Sequence, residues 1–313
     1  MASVGTNKRR RTNSNTLTIN DLPIGFLVDV SSYLCKPSRA IFAVAISGSS
    51  SSQKKVEQSI SDSSKAIIAA SDWDTLDFAD IEKNLAERLI DDDLYAILCI
   101  AIQNLRILKL TYCTNIIGHG LKPLQSSNVL ELIDLSLIGK YERQWTVSED
   151  LMLSQRVVLP IFSTNNIRRT LKYVQFPHNW HVDQSAMYLQ FKRSFVNDFQ
   201  ERNHTCSHCN RNVNEQAEEI FNGHQHNVCY SCLKVICDDC ERDDGLAYLV
   251  KCYNCRKHYC AACTKFVSCR SCGFYICSGC KMTCQGCEND FCQQSCLSDC
   301  DCQRMQNLLQ AHW

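Results

Sequence analysis

The chain has little proline and glycine, no net charge and no long apolar run. Five prolines and 11 glycines in 313 residues exclude a collagen-like or low-complexity protein. Its 33 basic and 33 acidic side chains balance, so overall charge does not direct it to nucleic acid or an anionic membrane. No apolar stretch reaches the about 18 residues of a transmembrane helix. We therefore predict a globular protein that does not span a membrane.

The N-terminus lacks the apolar core of a secretion signal. Residues 1–16 are polar and basic, and "KRRR" at 8–11 is either a nuclear import signal or part of a solvated arm. We expect the protein in the cytoplasm or nucleus, where thiols stay reduced.

Recognisable catalytic motifs are also missing. The sequence has neither a glycine-rich phosphate loop nor a Gly-x-Ser-x-Gly motif. We therefore expect that the protein is not an enzyme.

Cysteine, in contrast, is abundant and unevenly distributed. Of 23 cysteines, Cys35, Cys99 and Cys113 lie in apolar contexts typical of small buried residues. The others fall in the last third, mostly as Cys-x-x-Cys pairs, which in a reducing compartment indicate metal rather than disulfides. The candidate metal ligands are Cys206, Cys209, Cys229, Cys232, Cys237, Cys240, Cys252, Cys255, Cys260, Cys263, Cys269, Cys272, Cys277, Cys280, Cys284, Cys287, Cys292, Cys296, Cys300 and Cys302.

The pairs repeat as C-x2-C-x4-C-x2-C. Three copies are strict, at 229–240, 252–263 and 269–280, and the copy at 284–296 is one residue longer. Four extended residues between two pairs span roughly 15 Å, which favours different metals for neighbouring pairs, although a tight turn would allow one.

Joining each pair to the next but one gives five closed four-thiolate sites and a prediction of about five zinc ions. The predicted sites are Cys206/Cys209 with Cys237/Cys240, Cys229/Cys232 with Cys252/Cys255, Cys260/Cys263 with Cys277/Cys280, Cys269/Cys272 with Cys284/Cys287, and the tail set Cys292, Cys296, Cys300 and Cys302.

Other uses of the Cys-rich region are less consistent with its spacing and charge. Iron–sulfur ferredoxins have 2-2-3 spacing, whereas this chain has 2-4-2. Residues 201–313 hold 11 basic and 13 acidic side chains, and a zinc ion with four thiolates adds −2, so five sites bring the region from −2 to about −12. Nucleic-acid binding is therefore not expected. The region is either a structural staple that replaces a core or a recognition surface.

The interleaved pairs resemble the cross-brace of RING and FYVE zinc domains, and "CRSCGFYICSGC" at 269–280 is similar to the central FYVE segment. The basic run that binds phosphoinositides in FYVE domains is absent, so we expect no membrane partner.

A second repeat places apolar residues at positions 1, 4 and 6 of "WDTLDF", "LRILKL", "LELIDL" and "LKYVQF", at offsets of 32, 25 and 41 residues. The stretch "LRILKLTYCTNIIGHGLKPL" resembles a cysteine-containing leucine-rich repeat, in which Cys113 and Asn115 turn the chain inward after a short strand. Helices are predicted for 79–102, with a break near a solvated cap at Asp91–Asp93, and for 148–162. Another is predicted for 183–200, capped by Asp183, with an apolar stripe of Met187, Phe191, Phe195 and Phe199.

Two helices are predicted before this repeat, the first capped by Asn20 or Asp21 and the second by Ser38. Their sequence "LPIGFLVDVSSYLCKPSRAIFAVAI" resembles an F-box, which docks on a Skp-type adaptor of a cullin ubiquitin ligase. The alternative is a helical cap that shields the first repeat. The resemblance implies adaptor contacts by Leu22, Pro23, Leu27, Val30, Tyr33, Leu34, Ile41 and Val44.

Together these features predict an α+β multidomain protein with F-box helices, a short leucine-rich-repeat solenoid and small zinc-stapled modules, which resembles an F-box/leucine-rich-repeat protein. Such a protein is expected to be the substrate receptor of an SCF ubiquitin ligase, binding an unidentified target. A stand-alone RING-like ligase and a scaffold unrelated to ubiquitin are the alternatives. The predicted divisions are 1–16 (basic arm), 17–62 (F-box helices), 63–182 (repeats), 183–201 (connecting helix), 202–303 (zinc region) and 304–313 (tail).

Overall fold

The computed structural model is α+β, with N-terminal helices, a four-stranded parallel sheet and a C-terminal series of small β-hairpins that carry clustered cysteines. The predicted basic arm and tail and the residues Asn20, Asp21, Asp183, Cys255 and Cys302 lie outside the described residues. The structure describes residues 22–46, 67, 73–137, 152–177, 179–180, 185–202, 204–213, 228–237, 239–240, 249–254, 257–292, 294–298 and 300.

Two short helices begin the described chain: α1 (Ile24–Ser32), directly after Pro23, and α2 (Lys36–Ile46). The guanidinium of Arg39 donates hydrogen bonds to the carbonyls of Ser31 (2.9 Å) and Leu34 (3.1 Å), near the end of α1. These bonds satisfy carbonyls that a helix end leaves open. The prediction that Ser38 caps α2 was wrong, because the helix already begins at Lys36.

The sheet consists of β1 (Thr75–Asp77), β2 (Ile107–Lys109), β3 (Leu132–Asp134) and β4 (Tyr173–Gln175), paired in chain order. Its register aligns the central residues Leu76, Leu108, Ile133 and Val174, which are the fourth positions of the predicted apolar repeat. All four of these side chains are buried. The predicted offsets between the strands are therefore confirmed.

Helical segments connect the strands on one side of the sheet's core. They are α3 (Lys83–Glu87), α4 (Asp91–Ala101), a 3₁₀ helix (His119–Ser126), α5 (Gln155–Phe162) and α6 (Asn165–Thr170). The predicted break before α4 is present. The helix predicted from residue 148 begins only at Gln155, after Ser154 in extended conformation.

Two polar side chains form hydrogen bonds between successive segments that connect the strands. The Asp91 carboxylate accepts backbone N–H bonds from Ile117 (2.9 Å), Gly118 (2.9 Å) and Gly120 (2.6 Å). Asn115 donates from Nδ2 to the carbonyl of Glu87 at 2.6 Å, so it bonds open backbone as predicted. Asp91 is therefore more than a solvated cap, because it fixes the turn of the next repeat.

Helix α7 (Ala186–Glu201) leads from the sheet to the Cys-rich region. The Ser185 hydroxyl accepts the N–H of Tyr188 and caps it. The phenylalanines of the predicted stripe are buried, and the Phe191 ring lies 5.6 Å from that of Phe176 beyond β4. Met187, predicted to lie in this stripe, is 40 % exposed, and Tyr188 is buried instead. The stripe is a packing face.

The last third folds as hairpins with short strands: β5 (Leu249–Lys251) with β6 (His258–Cys260), β7 (Phe266–Ser268) with β8 (Tyr275–Cys277), and β9 (Met282–Thr283) with β10 (Asp290–Phe291), followed by α8 (Gln294–Ser298). Two earlier hairpins are marked by the bridges Thr205–Asn212 and Val228–Val235. Among the described residues, no helix is long and apolar enough to cross a membrane.

Candidate functional sites

The tip of each hairpin in the Cys-rich region is a Cys-x-x-Cys turn of one repeated geometry. In every copy the N–H of the first cysteine donates to the carbonyl five residues later, at 2.8–3.0 Å. We call these five pairs the tip pairs. The tip pairs are Cys206/Cys209, Cys229/Cys232, Cys252/Cys255, Cys269/Cys272 and Cys284/Cys287.

A left-handed residue follows the second cysteine in the four tips where it is described. These residues are Asn210 (φ 60°), Leu233 (φ 60°), Gly273 (φ 76°) and Glu288 (φ 58°). The N–H of each donates to the carbonyl of the first cysteine of its tip at 2.8–3.0 Å. The turn thereby directs both sulfurs of a tip to the same side. Only one of the four is glycine, so this signal is nearly invisible in the sequence.

The sulfurs gather into five groups in which all ligand atoms lie within 4.8 Å of one another. Three groups have four described cysteines and two have three. The groups are Cys206, Cys209, Cys237 and Cys240; Cys229, Cys232, Cys260 and Cys263; Cys252, Cys277 and Cys280; Cys269, Cys272, Cys292 and Cys296; and Cys284, Cys287 and Cys300.

One rule describes the first four groups: a tip pair meets the pair at the end of the next hairpin, which we call its return pair. In the fifth group the tip pair Cys284/Cys287 meets Cys300, which follows helix α8. A repeated backbone hydrogen bond holds each of the first four junctions. The residue after the first tip cysteine donates to the carbonyl two residues before the return pair. These bonds are Ser207 to Val235 (2.8 Å), Tyr230 to His258 (2.8 Å), Tyr253 to Tyr275 (2.9 Å) and Arg270 to Asp290 (2.9 Å).

The prediction that neighbouring pairs serve different sites agrees with this grouping. In the segment 269–280, for example, Cys269/Cys272 and Cys277/Cys280 belong to different groups. The short strand β8 separates the two pairs, which is the physical reason expected from the four-residue spacing.

The predicted partners, however, were correct for the first group only. Cys229/Cys232 meets Cys260/Cys263 and not Cys252/Cys255, and Cys269/Cys272 meets Cys292/Cys296 and not Cys284/Cys287. Likewise, Cys277/Cys280 lies with Cys252, and Cys300 with Cys284/Cys287. For the other groups, the prediction followed only the order of the pairs along the chain, so it joined tip pairs to tip pairs and return pairs to return pairs. In the structure, a tip pair approaches a return pair. Cys255 and Cys302 lie outside the described residues, and we expect them to complete the two three-cysteine groups.

Backbone donors favour the thiolate form of two first tip cysteines, Cys206 and Cys269. Burial opposes ionisation of Cys206, but N–H groups of Cys209, Cys237 and His208 outweigh it and lower the pKa of its thiol to about 6. Similar donors lower the pKa of Cys269 to about 7 despite its burial. The N–H of Cys237 lies 3.3 Å from the Cys206 sulfur. Thiolates are the form that binds metal.

The groups fit zinc in donor type and spacing. A tetrahedral zinc ion with bonds of about 2.3 Å holds its sulfurs about 3.8 Å apart. Sulfur–sulfur distances across the groups are 3.5 Å for Cys209–Cys237, 3.8 Å for Cys232–Cys260, 3.5 Å for Cys272–Cys292 and 3.5 Å for Cys287–Cys300. Four thiolates complete such a site and leave no position for a reacting water, which is typical of structural zinc.

The second hairpin tip also docks on the sheet. The Tyr230 hydroxyl donates to Asp134 at the end of β3 (2.6 Å), and the Lys257 ammonium lies 2.5 Å from the same carboxylate. The Tyr230 ring makes an edge contact with Tyr173 of β4 and lies 4.1 Å from the Lys109 ammonium. Burial would raise the pKa of Asp134, but Lys257 and hydrogen bonds lower it to about 2. The carboxylate is therefore charged and paired in the interior.

The N-terminal helices present an apolar surface to solvent. Tyr33 is 90 % exposed, Phe26 54 %, Ile24 46 % and Leu22 38 %. We call these four residues the α1 face. Pro23 is also exposed, whereas Val30, Leu34, Ile41 and Val44 are half-buried.

Leu27 does not belong to this surface. It is 1 % exposed and lies in a small core with Ala43, Ile46 and Ile67. Its predicted contact with an adaptor is therefore incorrect, because its side chain holds α1 against the rest of the chain.

No protein-family model matches the chain, and no similar protein was found among curated proteins or among solved structures.

Proposed function

We propose that the chain is a non-catalytic protein-binding subunit that acts as substrate receptor of a cullin-type SCF ubiquitin ligase. In this proposal the α1 face binds a Skp-type adaptor. The sheet, which we take to be a short leucine-rich-repeat solenoid, and the zinc-bearing hairpins hold the target protein.

The exposed α1 face is the observation that carries the proposal. A helix nine residues long places Ile24 and Phe26 in solvent, and Tyr33 directly after it is almost fully exposed. Several exposed large apolar side chains in one short segment are typical of interaction surfaces, and aromatic residues dominate the energy of such interfaces. We name a Skp-type adaptor as the partner because this segment resembles an F-box.

The metal groups support a role in architecture rather than in chemistry. Four of the groups join two successive hairpins, the fifth joins the last hairpin to the segment after α8, and a group closed by four thiolates offers no open coordination position. Zinc at these joints would stabilise strands of two or three residues, which are too short to fold alone. The hairpins would then display a surface held rigid along the array.

Adaptor binding tests the proposal directly. The full chain loaded with zinc is titrated with a Skp-type adaptor, and the variants Phe26→Asp and Tyr33→Asp are compared with Met152→Asp, a control at a position 51 % exposed in another part of the chain. We expect at least about tenfold weaker binding for the two α1 variants and unchanged binding for the control. Equal binding by all four proteins, or none by the unmodified chain, would refute the adaptor role.

The interleaved pairing favours a second candidate, a RING-like ligase that recruits a ubiquitin-conjugating enzyme itself. Each of the first four tip pairs shares a group with cysteines from the following hairpin, as in a cross-brace. Autoubiquitination of the full chain by activating and conjugating enzymes alone would support this candidate. Adaptor-dependent activity that the α1 variants lose would support the substrate receptor.

A further inference from the structure

A basic cavity lies at the amino ends of the sheet strands. Arg106, Glu131 and Lys172 directly precede β2, β3 and β4, so the parallel sheet brings them into one row. Together with Arg169 at the end of α6 and Arg202 after α7, they line a cavity of about 440 Å³.

The cations of this cavity outnumber its carboxylates. Glu131 binds the Arg106 guanidinium (2.8 Å) and the Lys172 ammonium (3.2 Å), and among the described residues no other acidic side chain lines the cavity. The Asp198 carboxylate, outside this lining, also attracts the Arg202 guanidinium. Four cationic side chains thus face one carboxylate. The excess positive charge calls for an anion with more than one negative charge.

Arg202 is held rigidly with one donor group unused. Its Nε donates to the carbonyl of Asp198 (3.0 Å), and its Nη1 donates to the carbonyls of Arg169 (3.1 Å) and Leu171 (2.9 Å). The guanidinium lies 5.5 Å from the Phe199 ring centre. Its Nη2 is buried and has no hydrogen-bond partner in the part of the chain that the structure describes. A buried donor without an acceptor costs free energy, which a bound anion would recover.

Arg169 offers a second available guanidinium. Its side chain is exposed on the last turn of α6, and its carbonyl accepts a hydrogen bond from Arg202. This hydrogen bond fixes the Arg202 guanidinium relative to the backbone of Arg169. Paired guanidinium groups with a neighbouring lysine suit a phosphate oxyanion, because the planar forks donate two parallel bonds.

We propose that this cavity binds a terminal phosphate group, with Arg169, Lys172 and Arg202 as the principal ligands. A phosphoserine group carries about −1.5 to −2 charge at pH 7, so it neutralises at least half of the excess positive charge of the cavity. This inference does not depend on the adaptor role of the α1 face. The phosphate group belongs either to a phosphorylated protein or to a free phosphate, since both present the same oxygens.

Calorimetric titration of the full zinc-loaded chain tests the site. The probes are inorganic phosphate, N-acetyl-phosphoserine N-methylamide and its unphosphorylated serine analogue, with sodium chloride at matched ionic strength as baseline. We expect both phosphate probes to bind and the serine analogue not to bind. Tighter binding of the phosphoserine probe identifies a phosphorylated protein as the source, and equal or tighter binding of inorganic phosphate identifies free phosphate.

Charge-removing variants complete the test. Arg169→Gln and Lys172→Gln are each expected to weaken phosphate binding about tenfold, because each removes charge-assisted hydrogen bonds. Arg193→Gln is the matched control, since this arginine is exposed on α7 outside the cavity. Absence of binding above the sodium chloride baseline, or unchanged affinity in the Arg169→Gln, Lys172→Gln double variant, would overturn the site.

Discussion

At the scale of single residues, buried charge decides how the Cys-rich region meets the sheet. Asp134 is 3 % exposed and depends on Lys257, Tyr230 and Ser136 for its partners. Lys257 and Tyr230 both come from the Cys-rich region, so the compensation of this carboxylate requires that region to be docked. A carboxylate without partners in this position would be costly.

The first prediction removes the cation. Lys257→Met leaves Asp134 buried without its counter-charge, and we expect the free energy of unfolding to fall by about 3–5 kcal/mol. Urea unfolding of the zinc-loaded chain measures the change, with Lys265→Met as control because that lysine is exposed. A Lys257→Met, Asp134→Asn double variant should lose less than the sum of the single variants. Equal stability of Lys257→Met and the control would contradict the role of the pair.

The second prediction concerns the turn between repeats. Asp91→Ala removes the acceptor for the N–H groups of Ile117, Gly118 and Gly120, of which the two glycines are buried. We expect a loss of about 2–4 kcal/mol from two buried donors left open. The adjacent Asp92→Ala is the control, since Asp92 is exposed. Thermal unfolding of both variants checks the difference, and similar melting temperatures would exclude this function of Asp91.

At the scale of elements, the sequence predicts the sheet better than it predicts the metal groups. Apolar residues at positions 1, 4 and 6 determine which strand residues face the core, so the offsets of 32, 25 and 41 residues translate directly into register. The offsets predict the register because successive residues of a strand point to opposite faces of the sheet. The fourth position of each repeat therefore faces the core in one register only.

The metal groups depend instead on which end of a hairpin each cysteine pair occupies. The spacing of cysteines is the same for tip and return pairs, so counting pairs along the chain cannot tell them apart. The left-handed residue after each tip distinguishes them, but Asn210, Leu233 and Glu288 give no glycine signal. The exposure of Leu22 and burial of Leu27 were likewise hidden, because both are leucines in the same apolar stretch of sequence.

The third prediction uses this left-handed position. Gly273→Ala introduces a Cβ at φ 76°, where open space surrounds it, so any effect comes from backbone conformation alone. We expect about 1–2 kcal/mol weaker zinc binding by the group of Cys269, measured by competition with a chelator. Glu288 is exposed and occupies the equivalent position of its own tip, at φ 58°. Glu288→Gly should therefore strengthen zinc binding by the group of Cys284. Weaker binding in both variants, or in neither, would contradict the repeated turn.

At the scale of the whole molecule, the Cys-rich region is one array rather than separate fingers. The first four junctions join each tip pair to the return pair of the next hairpin, so a metal ion at each of them links hairpin to hairpin in chain order, and the fifth joins Cys284/Cys287 to Cys300 after α8. The first two hairpins also share a core with the sheet, through Val213, Tyr230 and Leu233, whereas Ile276 and Phe291 belong to a second core. The array thus begins on the sheet and extends away from it.

This arrangement predicts the effect of metal removal. Removal of zinc by a strong chelator should unfold the later hairpins, because their short strands lack a large core. The four-stranded sheet and the helices that connect its strands should stay folded. Far-ultraviolet circular dichroism should keep most of its helical signal, and protease digestion should cleave beyond residue 249 first. Simultaneous loss of the helical signal would show that the sheet depends on the metal.

Zinc counting by native mass spectrometry tests the central claim most directly. We predict about five zinc ions in the full chain, since three groups have four cysteines and we expect Cys255 and Cys302 to complete the other two. Cys229→Ser with Cys260→Ser alters one group, so one zinc ion should be lost; Cys229→Ser with Cys252→Ser alters two groups, so two should be lost. Cys99→Ser, outside all five groups, should retain every ion. The reverse result for the two double variants would contradict the tip-to-return array.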